Sequence, residues 1–406
     1  MRKTYDVIGI GEGIAGLLAC TLLAARGLSC LWIDSSPESP GASLAHDAPL
    51  LLTGSFFRDI LTPVLSRLDR RMVKGLGAEQ NLNVQWADAE GSPLVTLSAR
   101  DVDTSLARGR NRSYISLLGK SLSRPGRYLR ELNSRPRASN GWERAIGAAL
   151  SSPEAGRLSL LRTYASTLGM CAVEHGRARA ELEDCLRRGN GASVRTRSAE
   201  TVMNEREILG VRFDDVIHQA GCYLIEALPV ETPYSGFYLY GRCRAPLGML
   251  PDGMGDLLIL SPPPELKYPL ILKVNRNPQA PTLSVSARVH VETGLTSVTE
   301  TVSWASGMAV KRISRLLPFF STALQAFEIV NPMEEGAIRP WFRFSEDVRP
   351  PSLFRSRHYI RPREGTYALD RDKYACLGND GDFFWGICIA NALLNDLGRS
   401  DIFTPQ

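Results

Sequence analysis

The segment Tyr5-Asp-Val-Ile-Gly-Ile-Gly-Glu-Gly-Ile-Ala-Gly-Leu-Leu-Ala19, with Leu28-Ser-Cys-Leu-Trp-Ile-Asp34 after it, spells a strand, a glycine turn, a helix and a second strand ending in an acid. An apolar run, Val7 to Ile10, enters a turn in which Gly11, Gly13 and Gly16 hold G-x-G-x-x-G spacing, with Glu12, Ile14 and Ala15 in the variable slots. Gly11 permits the tight strand-to-helix turn, Gly13 lets backbone N–H groups close on a pyrophosphate, and Gly16 lets helix approach strand. The helix N-terminus, running on to about Arg26, favours the phosphate charge. Asp34 lies 23 residues past Gly11 and, with Ser35 at the same strand tip, is placed to accept hydrogen bonds from an adenosine ribose. Alone the glycine pattern is weak. Bracketed by two strands and followed by an acid, it predicts a dinucleotide site.

Composition sets the outer limits. A length of 406 residues predicts two or three domains, and 44% hydrophobic with 22% charged residues is an ordinary globular balance. No apolar run is long enough to span a bilayer, and the chain enters its first strand with no signal peptide expected. The eight cysteines form no C-x-x-C pair, which fits a reducing cytoplasm and small buried hydrophobes rather than zinc or disulfides. The five histidines (46, 175, 218, 290, 358) show no ligand spacing, so no metal is expected. His218 reads as structural or exposed, and His290 as the better candidate to face a ligand. No Ser-His-Asp, H-E-x-x-H or Walker signature competes.

The net charge of +5 is unevenly spread. Residues 108–144 carry ten Arg/Lys against Glu131 and Glu143, with leucines and Tyr128 interleaved. Two readings stand: a surface for a protein partner or for an anionic membrane, making the chain peripheral to it, or a solvated basic excursion. No nucleic-acid module accompanies the charge, so nucleic acid is not expected.

Along the chain, a Ser/Pro/Gly loop (35–43) precedes a helix expected over 55–71, then short strands between 80 and 103. Helices are expected at 141–150, 157–169 and 174–187, and strands at 191–196, 201–203, 208–213 and 222–229. Residues 237–240, 257–260, 270–274 and 283–291 read as an antiparallel sheet. A helix from about Thr299 meets Pro318, which kinks or breaks it. Residues 335–376 are Arg/Pro-rich and irregular, and the chain closes with a strand, a Gly/Asp loop and a helix.

Three separated segments resemble one family. The glycine turn is the first. The second is Gly191-Ala-Ser-Val194-Arg-Thr196 with Leu209-Gly210-Val211 and Leu224-Ile-Glu-Ala-Leu-Pro229. The third is Cys376-Leu-Gly378-Asn-Asp380-Gly-Asp382 with Trp385-Gly386-Ile387. Together they resemble the FAD-dependent oxidoreductase superfamily of glutathione-reductase type, in its phytoene desaturase and amine oxidase branch. The resemblance implies that the strand ending at Gly378 sets Asp380 or Asp382 beside a ribityl hydroxyl. It also implies a helix opening at Gly386, flanked by Trp385 and Ile387, whose N–H groups face the flavin pyrimidine, and an adenine contact near Glu200 or Val202. Three departures stand out. Pro40-Gly41-Ala42-Ser43 replaces the family's Gly-Gly-Arg, so its diphosphate arginine is missing; Glu12 puts a carboxylate at the turn; Asn379 separates Gly378 from Asp380.

The implied fold class is α/β: a Rossmann-like FAD-binding domain from 1–45, 150–233 and 365–406, with a second α+β domain (234–364) on a mainly antiparallel sheet. Residues 46–149 form an insertion or cap. The implied activity is FAD-dependent oxidation, desaturation or isomerisation of an apolar or amine substrate between the domains, with no catalytic residue singled out. The alternative is a binding or assembly subunit whose flavin is structural or lost, acting through a protein or membrane partner. An NAD(P) dehydrogenase would leave the 378–386 segment without a role. Phe383, Phe384 and Trp385 read either as a wall against the flavin or as core packing. Phe237, Tyr238, Tyr240, Trp304, Trp341, Phe342 and Phe344 suit an apolar pocket or any core, and Arg339 and Arg343 a carboxylate or solvent.

Overall fold

In a computed structural model, β1 (Arg2–Gly11), α1 (Ile14–Ala25) and β2 (Cys30–Asp34) form the opening βαβ unit. The residues described are 2–35, 49–78, 82–87, 95–97, 115–116, 118–120, 122–123, 169–196, 198–204, 208–226, 241–242, 253–260, 270–275, 282–287, 298–317, 328–329, 365–369 and 379–405. β1 and β2 run parallel with Gly11 opposite Asp34, so the turn and the acid share one end of the sheet. From Ile14 to Ala24 every residue of α1 is buried, because its Ala, Leu and Gly composition offers no polar face to water.

The chain continues through β3 (Pro49–Thr53), a helix α2 (54–66), α3 (Arg70–Gly75), β4 (Val84–Ala87) and β5 (Val95–Leu97). The single helix expected over 55–71 is two. Phe57–Leu61 make a π turn, because Pro63 has no N–H to close the regular ladder onto Asp59. Asp69 then caps α3, its Oδ1 accepting the Arg71 N–H at 2.8 Å.

Next come β6 (Met170–Glu174), α4 (His175–Arg188), β7 (Gly191–Arg195), β8 (Glu200–Met203), β9 (Ile208–Phe213) and β10 (Val216–Glu226). Asp214 and Asp215 join β9 to β10 with φ of 48° and 57°, the left-handed pair of a two-residue hairpin that short polar residues tolerate. The second half follows: β11 (Gly241–Arg242), β12 (Leu257–Leu260), β13 (Leu270–Asn275), β14 (Thr282–Ala287), α5 (Val298–Leu316), β15 (Glu328–Ile329), β16 (Thr366–Leu369) and α6 (Asn379–Asp396).

Among the described residues the main sheet has the order β7-β2-β1-β10-β9-β8, with β16 also on β10. β7, β2, β1, β10 and β16 run parallel, the doubly wound arrangement expected of the opening motif. On one face α1 packs against α4 and α6; on the other, Ile208, Val211 and Phe213 of β9 pack on Ile8, Leu31 and Ile33. A second sheet, β14-β13-β12-β4-β5, is mostly antiparallel, but β4 joins β12 in parallel, so β4 and β5 contribute to it from the first insertion. A small sheet pairs β3 with β6.

One expectation is corrected at the C-terminus. The last helix opens at Asn379, not at Gly386, which falls in mid-helix. Asp380 and Asp382 thereby occupy its first turn, where negative charge complements the exposed N–H groups. The helix expected at 141–150, all of that expected at 157–169 but its last residue, the strand at 237–240, most of the 335–376 segment and the strand before Gly378 lie outside the described residues; where 335–376 is described, Thr366–Leu369 form β16 rather than irregular chain.

Candidate functional site

The glycine turn is shaped by close packing. A Cβ on Gly9 would stand 2.7 Å from both Cys20 Sγ and the Trp32 ring, so strand-to-helix approach depends on Gly9, a glycine the spacing motif does not include. Gly13 stands at the N-cap of α1 in extended conformation, no side chain caps the helix, and its first turn holds no acid. That end offers backbone N–H groups to an anion. The Ser35 N–H donates to the Gly11 carbonyl at 3.1 Å and closes the end of β2 onto the turn. The Ser35 hydroxyl is buried and has no hydrogen-bond partner among the described residues.

Asp34 is 1% exposed, and its charge is matched by two arginines that sequence reasoning missed. Arg179 of α4 places Nη2 against Asp34 Oδ2, and Arg195, opposite Asp34 on β7, places Nε 3.0 Å from the same oxygen. Arg179 Nη1 also donates to the Glu12 carbonyl at 3.1 Å, and its Nε to Glu183 Oε1 at 3.3 Å. An unpaired carboxylate this deep would carry a large desolvation cost, which these cations offset. The signal for Arg179 was present: it is an arginine on the buried stripe of α4, beside Ala178, Leu182, Cys185 and Leu186. Arg195 stands out in the sequence only as part of a family pattern.

The C-terminal candidates divide. The Asp380 carboxylate accepts from Thr53 twice, Oδ1 from the N–H at 2.9 Å and Oδ2 from the hydroxyl at 2.6 Å, while Asn379 Nδ2 donates to the Leu51 carbonyl at 3.2 Å. Those bonds fasten the start of α6 to β3. Asp382 is half-buried in the same turn. Gly386 has a packing role: a Cβ there would lie 2.5 Å from the Ala15 carbonyl oxygen, so only glycine lets α6 press on the first turn of α1. Phe383, Phe384, Trp385 and Ile387 are buried in the shared core, the packing alternative for the aromatic triplet.

The structure thus gathers Gly11, Glu12, Gly13, Ile14, Ala15, Gly16, Asp34 and Ser35 around one turn, with Gly386 behind it. Val202 stands half-buried on β8, opposite Gly210 and four strands along the sheet from β2. Gly378 and residues 36–48 lie outside the described residues, as do His290, Arg339, Arg343 and, of the aromatic set, all but Trp304. Trp304 is exposed on α5.

His218 is buried and stacks on Phe213 with centroids 4.0 Å apart, beside Tyr5. Burial, then the nearby Lys3, push its pKa down, so it is a neutral packing group. Burial pushes the Cys20 thiol up to about 12, leaving it inert at neutral pH. Among the described residues no group of three or more His, Cys, Asp or Glu could hold a metal, and no helix is long and apolar enough to cross a membrane. In the basic segment, Leu118 and Leu122 are buried, and Asn391 of α6 donates to the Leu122 carbonyl at 2.9 Å.

No protein-family model matches the chain, and no curated protein does. Solved structures do match. Putrescine oxidase bound to putrescine superposes with a TM-score of 0.57 over 97% of this chain and 100% of that one, at 12% identity. P. aeruginosa PqsL, in complex with 2-aminobenzoylacetate, superposes with a TM-score of 0.51 over 98% and 89%, at 11% identity. At these identities the likeness is one of architecture, and it runs nearly end to end: the chain shares the Rossmann-like α/β fold of these structures.

Proposed function

We propose that this chain binds FAD at the β1–α1 turn and acts as an oxidoreductase on a small amine or apolar molecule held between its two main sheets. One observation carries the cofactor: the buried Ser35 hydroxyl, with no partner among the described residues, sits at the tip of β2 beside Asp34 and the turn that no side chain caps. A ribose hydroxyl supplies the missing partner, and a diphosphate complements the N-terminal end of α1. Gly11 and Gly13 bring backbone to the phosphates, and Asp34 and Ser35 hold the adenosine ribose; Val202, four strands from β2, is not among the residues gathered at the turn. With Asp380 committed to Thr53, Asp382 is the better candidate for the ribityl chain. Bound flavin supplies a two-electron acceptor. The protein's share is to fix the dinucleotide, exclude water with the α1–α6 core, and divide the chain into a cofactor domain (1–45, 150–233, 365–406), a substrate domain (234–364) and a cap (46–149). An amine substrate is favoured because the ligands of putrescine oxidase and PqsL both carry amino groups.

The test is anaerobic. FAD-loaded protein mixed with a panel of amines should lose its visible flavin absorbance with at least one of them, whereas a spectrum unmoved by every amine and every apolar candidate sinks the enzymatic reading.

A second reading has its own observation. Arg179 and Arg195 already neutralise Asp34, so the acid is stable with no ribose present. In this version the fold serves as a binding or assembly subunit, with flavin structural or lost, docking a protein or an anionic membrane through residues 108–144. A chain that takes up no added FAD yet retains a stoichiometric protein partner would favour it.

A further inference from the structure

We infer that Arg195 is the residue of this chain that recognises the base of the dinucleotide: anchored by Asp34 at the tip of β7, its guanidinium plane is the surface on which the adenine stacks. The inference rests on the FAD reading above and deepens it. The ribose of an adenosine carries its phosphate arm and its base on opposite sides of the ring oxygen. A diphosphate at the β1–α1 turn, with the ribose at Asp34, therefore directs the base away from β1. The strand on that side of β2 is β7, and Arg195 stands directly opposite Asp34 in the register. The Thr196 N–H donates to the Asp34 carbonyl at 2.9 Å, which ties the end of β7 level with the ribose acid.

The two arginines at Asp34 are not equivalent. Arg179 is enclosed, with its three nitrogens engaged by Asp34, the Glu12 carbonyl and Glu183. The Arg195 side chain is 42% exposed, and among the described residues Asp34 is its only side-chain partner, with Nε 3.0 Å from Oδ2. One edge of the fork is thus fixed, and the rest of the plane reaches solvent at the ribose end of the site. A guanidinium held in this way is prepared for stacking. It is planar, weakly hydrated and attracted to the face of a ring, whereas a lysine ammonium presents no plane. Neutralising Asp34 does not by itself call for Arg195, because Arg179 supplies a counter-charge from the buried side. Arg195 holds the acid with its edge and offers its face to the base.

The experiment displaces FAD from the full-length protein with AMP and with ribose 5-phosphate, which share the ribose and the phosphate and differ in the base. The ratio of the two affinities is the base preference. Arg195→Lys keeps a charge beside Asp34 without the plane, and it should lower that preference by about 5- to 30-fold, the worth of a stacked base. If Arg195→Lys does not fold, Arg195→Gln decides, and it should lose the preference to the same extent. A residue that only neutralises Asp34 would act on the ribose alone, so its loss would weaken both ligands together and leave the ratio in place. A folded Arg195→Lys or Arg195→Gln with the wild-type ratio overturns the proposal. Wild-type protein that binds FAD yet shows no preference for AMP also overturns it, and leaves the FAD reading standing. Wild-type protein that binds neither FAD nor AMP overturns both.

Discussion

Asp34 and Asp380 are both buried acids on the α1 side of the fold, and they are neutralised in different ways. Asp34 is met by two guanidinium groups, one from α4 and one from the neighbouring strand, and beside it the Ser35 hydroxyl has no partner. Asp380 is met by a backbone N–H and a hydroxyl of one threonine, with Asn379 adding a bond to the same strand. The first arrangement leaves hydrogen-bonding capacity unused around a charged cluster at a helix N-terminus. The second joins two elements with short, well-aligned bonds and little left over. A carboxylate in a cofactor fold is therefore read by what surrounds it: unused partners and cations mark a ligand site, and closed neutral bonds mark a clamp.

The strongest way to break this distinction is to remove each acid in turn. Asp34→Ala leaves Arg179 buried against a lost counter-charge and should cost about 3 kcal/mol of stability. It should also abolish measurable FAD binding in whatever remains folded, as read by chemical denaturation and flavin titration. Asp380→Ala strands the Thr53 N–H and hydroxyl and should cost about 2 kcal/mol, while the surviving folded protein binds FAD with near wild-type affinity. Equal loss of affinity in both variants would erase the contrast.

Ser35→Ala sharpens it from the other side. Removing a hydroxyl that has no partner should leave the melting temperature of the cofactor-free protein unchanged or slightly raised, yet weaken FAD by about 5- to 10-fold. The smallest effect is expected at a buried ionisable group outside both acids. The pKa of His218 is lowered in the folded protein, so the unfolded chain takes up the proton first as pH falls. Its contribution is complete above the ordinary imidazole value of 6.5 and is lost as pH drops from there toward the lower folded value. Denaturation curves on either side of that window should show a mild loss of stability at the acidic end, and His218→Phe, which keeps the stack on Phe213, should flatten it.

The contrast also shows what a single sequence can disclose. The glycine spacing, the acid at the tip of β2 and the apolar periodicities announce the parallel sheet and one half of the candidate site, because local backbone needs dictate those residues. The C-terminal half was harder. Trp385-Gly386 resembles a helix start, but glycine serves equally where two helices touch, and the Ala15 contact that decides between these roles joins residues far apart in sequence. Asp380 reads from the sequence as a ribityl ligand, but Thr53, also far away in the chain, donates to both its oxygens. Arg179 was legible only as an arginine out of place on the buried stripe of α4, and its partners came into view with the fold.

The account stands most directly on the identity of whatever the purified, desalted protein carries or takes up. Visible absorbance of the protein, with mass spectrometry of the released chromophore, should show oxidised flavin of FAD mass at close to one per chain after incubation with FAD. A colourless protein that refuses FAD while remaining folded would contradict the central claim and leave the binding-subunit reading in its place.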